Sequence, residues 1–269
     1  MQDFILEESL FLGQDGFRGT VIEFGKWKGR KVAIKYGEMG RHKYEAGILQ
    51  KLGKHSSIVE LLKEYKEGEK FIILECVGHG RTLRDVFEEK IKFSLQECID
   101  LLLQLAKGIQ HIHDKNIIHH DIKDNNILIH ENVLKICDFE LSVESEKGIK
   151  GCGTSEWMAP EVSYDYDRSV ISNKIDIYGF GKIFMKMVSS GRNIDIIKYS
   201  FPLELFDLMY QCTERFPENR PDIYKIISLL ENYNKETYID HLSNVIKDKN
   251  QYKHEYIKLL QLKSNLSFD

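Results

Sequence analysis

The alternation of apolar and polar positions changes character partway along the chain. Near the start, Thr20-Val21-Ile22-Glu23-Phe24 and Lys31-Val32-Ala33-Ile34-Lys35 are short apolar runs on either side of Lys28-Gly29-Arg30. Two such runs around a tight glycine turn predict a β-hairpin. From Lys43 to Gly53 the spacing becomes helical, with Ile48, Leu49 and Leu52 on one side. Ile58 to Leu62 and Phe71 to Leu74 predict two further strands, joined across the charged turn Lys66-Glu67-Gly68-Glu69.

Beyond Gly78-His79-Gly80 the pattern lengthens. Leu95 to His113 carries Cys98, Leu101, Leu102, Leu105, Ile109 and Ile112 at helical spacing, and Asp176 to Ser189, Leu203 to Cys212 and Ile223 to Tyr233 repeat it. A strand-rich part followed by a helix-rich part predicts an α+β fold of two lobes, not a wound βαβ sheet. The division expected is an N-lobe over about 1–75, a hinge at 75–80 and a C-lobe over 81–232, with a cleft between lobes as the favoured ligand site. Over 233–269 helical spacing continues (Ile239, Leu242, Val245, Ile246; Tyr252, Tyr256, Leu259, Leu260), predicting a helical extension that packs on the domain or on a partner.

Composition narrows the function classes. The chain is 42% hydrophobic and 30% charged with only 4 prolines, as expected of a soluble globular protein. A net charge of -4 argues against nucleic acid as a partner, because such proteins show a basic face. No apolar run approaches a membrane span, and Met1-Gln2-Asp3-Phe4 resembles neither a secretory leader nor a myristoylation start. The five cysteines (Cys76, Cys98, Cys137, Cys152, Cys212) form no C-x-x-C pair, so reduced thiols in the cytoplasm are expected, with the nucleus also open to the protein.

Five stretches carry candidate chemistry. Leu12-Gly13-Gln14-Asp15-Gly16-Phe17-Arg18-Gly19-Thr20-Val21 is a glycine-rich turn where backbone N–H groups can approach phosphate oxygens. Lys35 ends an apolar strand, and Glu45 on the following helix is its candidate acidic partner. Ile118-His119-His120-Asp121-Ile122-Lys123-Asp124-Asn125-Asn126-Ile127-Leu128 precedes Asp138-Phe139-Glu140, and Gly153-Thr154-Ser155-Glu156-Trp157-Met158-Ala159-Pro160-Glu161 follows. In this order and spacing the chain resembles the protein kinase superfamily, whose loop reads H-R-D-L-K-x-x-N, followed by D-F-G and A-P-E. Asp176-Ile177-Tyr178-Gly179-Phe180-Gly181 and Asn219-Arg220-Pro221 match its later helix and the arginine that pairs with Glu161. The resemblance covers roughly residues 10 to 232.

That resemblance implies a bilobal kinase fold, ATP as substrate and Mg²⁺ (or Mn²⁺) as cofactor. It implies that Asp121 orients the attacking hydroxyl, that Lys123 balances the transferring charge, and that Asn126 and Asp138 hold the metal. Lys35 and Glu45 would position the phosphates under Gly13, Gly16 and Gly19. Leu12, Val21, Ala33 and Leu128 would sandwich the adenine, backbone groups of Glu75 and Val77 would bond its edge, and Leu74 would stand as gatekeeper. Leu49, His119 and Phe139 would stack between the lobes. Lys123 together with Thr154 is similar to the serine/threonine pattern, with dual specificity as the alternative. The short interval from Lys35 to Glu45 is similar to tyrosine-kinase-like serine/threonine kinases.

Three positions depart from the pattern. Gln14 stands where the first glycine falls. His120 replaces the arginine that clamps an activation-loop phosphate, and an imidazole cannot pair bidentately with phosphate, so activity independent of such phosphorylation is expected. Glu140 replaces the glycine of D-F-G, and two readings are open: it points to solvent and leaves catalysis intact, or it pairs with Lys35 or crowds the phosphates and suppresses ATP use. The corresponding functions are an active serine/threonine kinase acting on protein hydroxyls, or a weakly active or inactive pseudokinase that serves as scaffold or decoy for a partner kinase.

Overall fold

In a computed structural model of the chain, the described residues are 4–8, 21–37, 39–63, 71–144, 153–162, 172–190 and 202–233. The glycine-rich turn (Leu12, Gly13, Gln14, Gly16 and Gly19), Cys152 and the 235–269 extension lie outside them. Four strands open the fold: β1 (Phe4–Glu8), β2 (Val21–Trp27), β3 (Arg30–Tyr36) and, after α1 (Met39–Leu52), β4 (Phe71–Glu75). They form one antiparallel sheet in the order β1-β2-β3-β4. The β2–β3 turn is closed by Lys28 and Gly29, both at positive φ (52° and 77°). That geometry matches the right-handed twist of the flanking strands, and glycine adopts it without Cβ strain.

After a single 3-10 turn at Gly78–Gly80 the chain turns helical. α2 (Leu83–Glu88) starts on a capping box in which Thr82 and Asp85 satisfy each other's backbone N–H groups, and α3 (Leu95–Asp114) starts on another from Ser94 and Glu97. α3 buries Leu95, Cys98, Leu101, Leu102, Leu105, Ile109 and Ile112, the stripe its spacing predicts. Short strands follow: β5 (Ile117–Ile118), the hairpin β6 (Ile127–His130) and β7 (Val133–Ile136), and β8 (Val143–Glu144), which pairs with β5. The described part closes with α4 (Lys174–Ser189), α5 (Leu203–Cys212) and α6 (Ile223–Asn232). This α+β, two-lobed architecture is the one expected.

One expected element is absent. Ile58 to Leu62 is not a strand; Ile58 makes an isolated bridge to Ile136 and Leu61 another to Leu74. The apolar run is buried at Ile58 and Val59 but touches two different partners, so no continuous ladder forms. It thereby ties the sheet to the β6–β7 hairpin, and one hydrophobic cluster runs from Leu49 and Leu74 through α3 to Phe184 and Ile226.

Candidate active site

β3 presents Lys35 inward from the centre of the sheet, paired with Ile22 on one side and Ile72 on the other. Its ammonium is buried and meets three carboxylates: Glu45 Oε2 at 2.8 Å, Asp138 Oδ1 at 2.8 Å and Glu140 Oε1 at 2.9 Å. Burial alone would lower its pKa, but Glu45, Asp138 and Glu140 together hold it well above its ordinary value. Asp138 shows the reciprocal effect: burial raises a carboxyl, yet the adjacent Lys35 holds it below its usual range. Glu45 also accepts the Phe139 N–H at 3.1 Å, and Tyr44 Oη donates to the Ser142 carbonyl at 2.5 Å, so α1 is stitched to the segment after β7. Of the two arrangements open to Glu140, the structure has the Lys35 pair, with Arg41 3.9 Å away on its other oxygen. Glu140 is not among the residues at positive φ, so this conformer does not call on a glycine's freedom there.

On the opposite wall, the loop after β5 is held from below by α4. Asp176 is buried and accepts the backbone N–H groups of His119 and His120, each at 2.9 Å, with His113 Nε2 also at 2.9 Å. Gly179, one turn on, lets the loop sit directly against the helix, since a Cβ there would lie 2.6 Å from the Ile122 carbonyl oxygen. Asp121 Oδ1 accepts the Thr154 N–H (3.2 Å) and hydroxyl (3.1 Å). Its Oδ2 meets Lys123 Nζ at 2.8 Å and Asn126 Nδ2 at 3.2 Å. Lys123 Nζ also donates to Thr154 Oγ1 at 2.8 Å. His119 accepts the Asp121 N–H on Nδ1, so its Nε2 donates to the Cys137 carbonyl at 3.1 Å. Burial lowers its pKa, in keeping with this neutral tautomer. Its ring lies edge-on to Phe139, 4.8 Å between centroids, with Leu49 and Phe139 in the same buried core.

Between the walls is a cleft of about 400 Å³. Ala33, Leu74, Val77 and Leu128 give it apolar faces, while Lys35, Glu45, Asn126, Asp138 and Glu140 give it a polar end. Val21, expected among the lining residues, is not; Ile22 and Phe24 are. The reason is register: Ile22 lies opposite Lys35 and Phe24 opposite Ala33, and side chains alternate faces along a strand. The Glu75 side chain points away, accepting the Glu60 N–H and pairing with Lys135, which leaves only its backbone at the cleft. Asn126 donates through its amide nitrogen to the Asp121 carbonyl and carboxylate, leaving the amide oxygen as a donor atom. With the part-exposed Asp138 carboxylate it makes a hard oxygen set that fits Mg²⁺.

Other placements bear on control. His120 is buried at φ 72°, and neither ring nitrogen has a partner among the described residues. Ser142 is buried with its hydroxyl on the His119 carbonyl, whereas Ser155 is exposed. Arg220 and Glu161 form a buried two-pronged pair at 2.6 and 2.7 Å, as the motif implies. Sequence reasoning missed the buried His42 and the exposed Tyr44 of α1, whose roles a count of apolar spacing does not signal.

The sequence model described as protein kinase domain matches residues 7–195. A probable serine/threonine-protein kinase of Dictyostelium discoideum is 27% identical over 213 residues, 70% of this chain and 50% of that protein. The serine/threonine-protein kinase pakG of the same organism is 31% identical over 210 residues, 68% of this chain and 18% of its own length. A third, again a probable serine/threonine-protein kinase, is 29% identical over 257 residues, 84% of this chain and 27% of the relative. The chain thus spans half or less of the length of these curated relatives.

Proposed function

Because the chain belongs to the protein kinase domain family, we propose that it transfers the γ-phosphoryl group of ATP to serine or threonine hydroxyls of a protein substrate. The observation that carries this reading is the bridge of Lys123 Nζ, 2.8 Å from both Asp121 Oδ2 and Thr154 Oγ1. Asp121 orients the substrate hydroxyl and takes up its proton, while Lys123 balances the charge that develops on the transferring group. Lys35, held by Glu45, positions the phosphates, and the apolar faces at Ala33 and Leu128 take the adenine, with the backbone of Glu75 and Val77 at its edge. Asn126 and Asp138 would hold Mg²⁺, which neutralises charge on the phosphates when bound. Rate enhancement then comes from positioning and fixed charge.

The catalytic unit proposed runs to about residue 232, because Arg220 locks Glu161 from beyond the matched span. With His120 in the arginine's place, activity does not require activation-loop phosphorylation. A cytoplasmic site of action accords with the described residues, none of whose helices is long and apolar enough to cross a membrane.

One observation favours a second reading, a weakly active or inactive signalling module that binds a partner kinase: Glu140 engages Lys35 where a phosphate is needed. The test that separates them is transfer from labelled ATP, with Mg²⁺ or Mn²⁺, to a generic basic protein. Asp121→Asn should abolish transfer with the fold intact, as should Lys35→Ala; an unchanged rate in Asp121→Asn sinks the first reading. Nucleotide binding without turnover in the native chain favours the second.

A further inference from the structure

His42 is a buried side chain to which phosphoryl transfer gives no role. It sits one turn before Glu45 on α1, fully buried, and neither Nδ1 nor Nε2 has a hydrogen-bond partner among the described residues. Leaving such a group unsatisfied costs about 1–3 kcal/mol, so an unpaired buried imidazole points to a missing ligand. One ring nitrogen of His42 and carboxylate oxygens of Glu45 and Glu140 all lie within 4.8 Å of one another. Burial and the nearby Lys35 lower the His42 pKa, which keeps a lone pair available.

We propose that His42, Glu45 and Glu140 form a site for a borderline transition-metal dication, Zn²⁺ by its ligand chemistry. One imidazole and two carboxylates are zinc donors, whereas Mg²⁺ and Ca²⁺ take oxygen sets. Metal–ligand bonds of about 2.0–2.2 Å draw tetrahedral donors to roughly 3.5 Å apart, so side-chain rotations of about an ångström close the site, with water as fourth ligand. The helix fixes His42 and Glu45 at i and i+3, on one face. A dication balances the two carboxylates that Lys35 now shares, and leaves Lys35 with Asp138. A dication therefore competes with Lys35 for the Glu45 and Glu140 carboxylates, and the donor set is completed by Glu140, which stands where the family has glycine. None of this rests on phosphoryl transfer.

The test is titration of the chelator-stripped full chain with Zn²⁺ by calorimetry, and with Co²⁺ by its visible absorption. The expected result is one equivalent bound by the native chain and lost, or weakened at least about tenfold, in both His42→Ala and Glu140→Gln. His130→Ala, an exposed control, should keep it. Asn126→Ala should keep it too, which separates this site from the Mg²⁺ pair, and so should Asp121→Asn, so that loss of turnover and loss of metal are read independently. Should His42→Ala fail to fold, Glu140→Gly decides alone. Native stoichiometry and affinity in either Glu140 variant, or no equivalent in the native chain, overturns the proposal.

Discussion

Replacing Glu140 by glutamine should tighten ATP binding. An ammonium has three N–H donors; Lys35 uses two on Glu45 and Asp138, each at 2.8 Å, and ion-pairs with Glu140 at 2.9 Å on the side where a phosphate oxygen would have to bind. Glu45 is additionally anchored by the Phe139 N–H, and Asp138 is the proposed Mg²⁺ ligand, so Glu140 is the carboxylate a nucleotide would displace. A hydrogen bond to a charged group contributes about 1.5–3 kcal/mol. Glutamine keeps the shape and loses most of that competition, which corresponds to roughly a ten- to hundredfold lower Kd for ATP with Mg²⁺. A fluorescent nucleotide displaced by ATP reads the Kd directly, and the KM for ATP in steady state should fall in parallel. Because the contact is buried, the difference should persist at high salt. Glu140→Gly should show the same direction, separating charge from backbone freedom. If the Kd for ATP stays within twofold of native in the glutamine variant, Glu140 does not compete for Lys35 and the reasoning is wrong.

Two further outcomes concern stability. Asp176→Asn should cost at least about 2 kcal/mol in urea unfolding, because both backbone N–H groups lose a charged acceptor and one is left facing an amide NH₂. Burial would raise the Asp176 carboxyl, but His113 and His119 outweigh it and hold the folded value below the ordinary one. The unfolded chain thus binds that proton first as pH falls. The contribution is complete above about pH 4 and disappears as pH drops through the folded value, so the native chain should lose its advantage over Asp176→Asn across that window. Glu161→Ala should destabilise by about 3–5 kcal/mol, since it strands a fully buried guanidinium, and pairing it with Arg220→Met should recover much of the loss in thermal unfolding.

Local pattern reads well where one face of an element is apolar and its partner is close. The β2–β3 hairpin and α5 follow from spacing alone, and α5 matches at both ends. α1 begins four residues before the expected Lys43, because its first turns face inward with polar groups, His42 and Glu45. α2 is not among the expected elements, because its apolar stripe is too short and its one local signal is the capping box of Thr82 and Asp85. Ile58 to Leu62 has strand composition, yet its partners lie in two different sheets. For the site, motif order singled out Lys35, Glu45, Asp121, Lys123, Asn126 and Asp138; Lys35, Glu45, Asn126 and Asp138 line one cleft, and Asn126 links it to the neighbouring Asp121–Lys123 pair. Whether Glu140 faced solvent or Lys35 depended on where α1 puts its charges, a tertiary matter no spacing reveals. The lining role of Val21 failed for a similar reason: strand parity is set by the partner's register, which the motif does not encode.

The two hydrogen bonds from α1 to the segment after β7 also decide which small molecules the cleft can admit. A flat heteroaromatic compound lodged between Ala33 and Leu128 leaves both in place. A longer one that reaches past Leu74 by pushing Phe139 aside must break the Phe139–Glu45 bond and part the His119–Phe139 rings. Those contacts are worth about 1.5–3 and 0.5–1.5 kcal/mol, a penalty of roughly thirty- to two-thousandfold in affinity. Screening against this protein should therefore return short, hinge-directed scaffolds, and elongated ones only after Tyr44 or Glu45 has been altered.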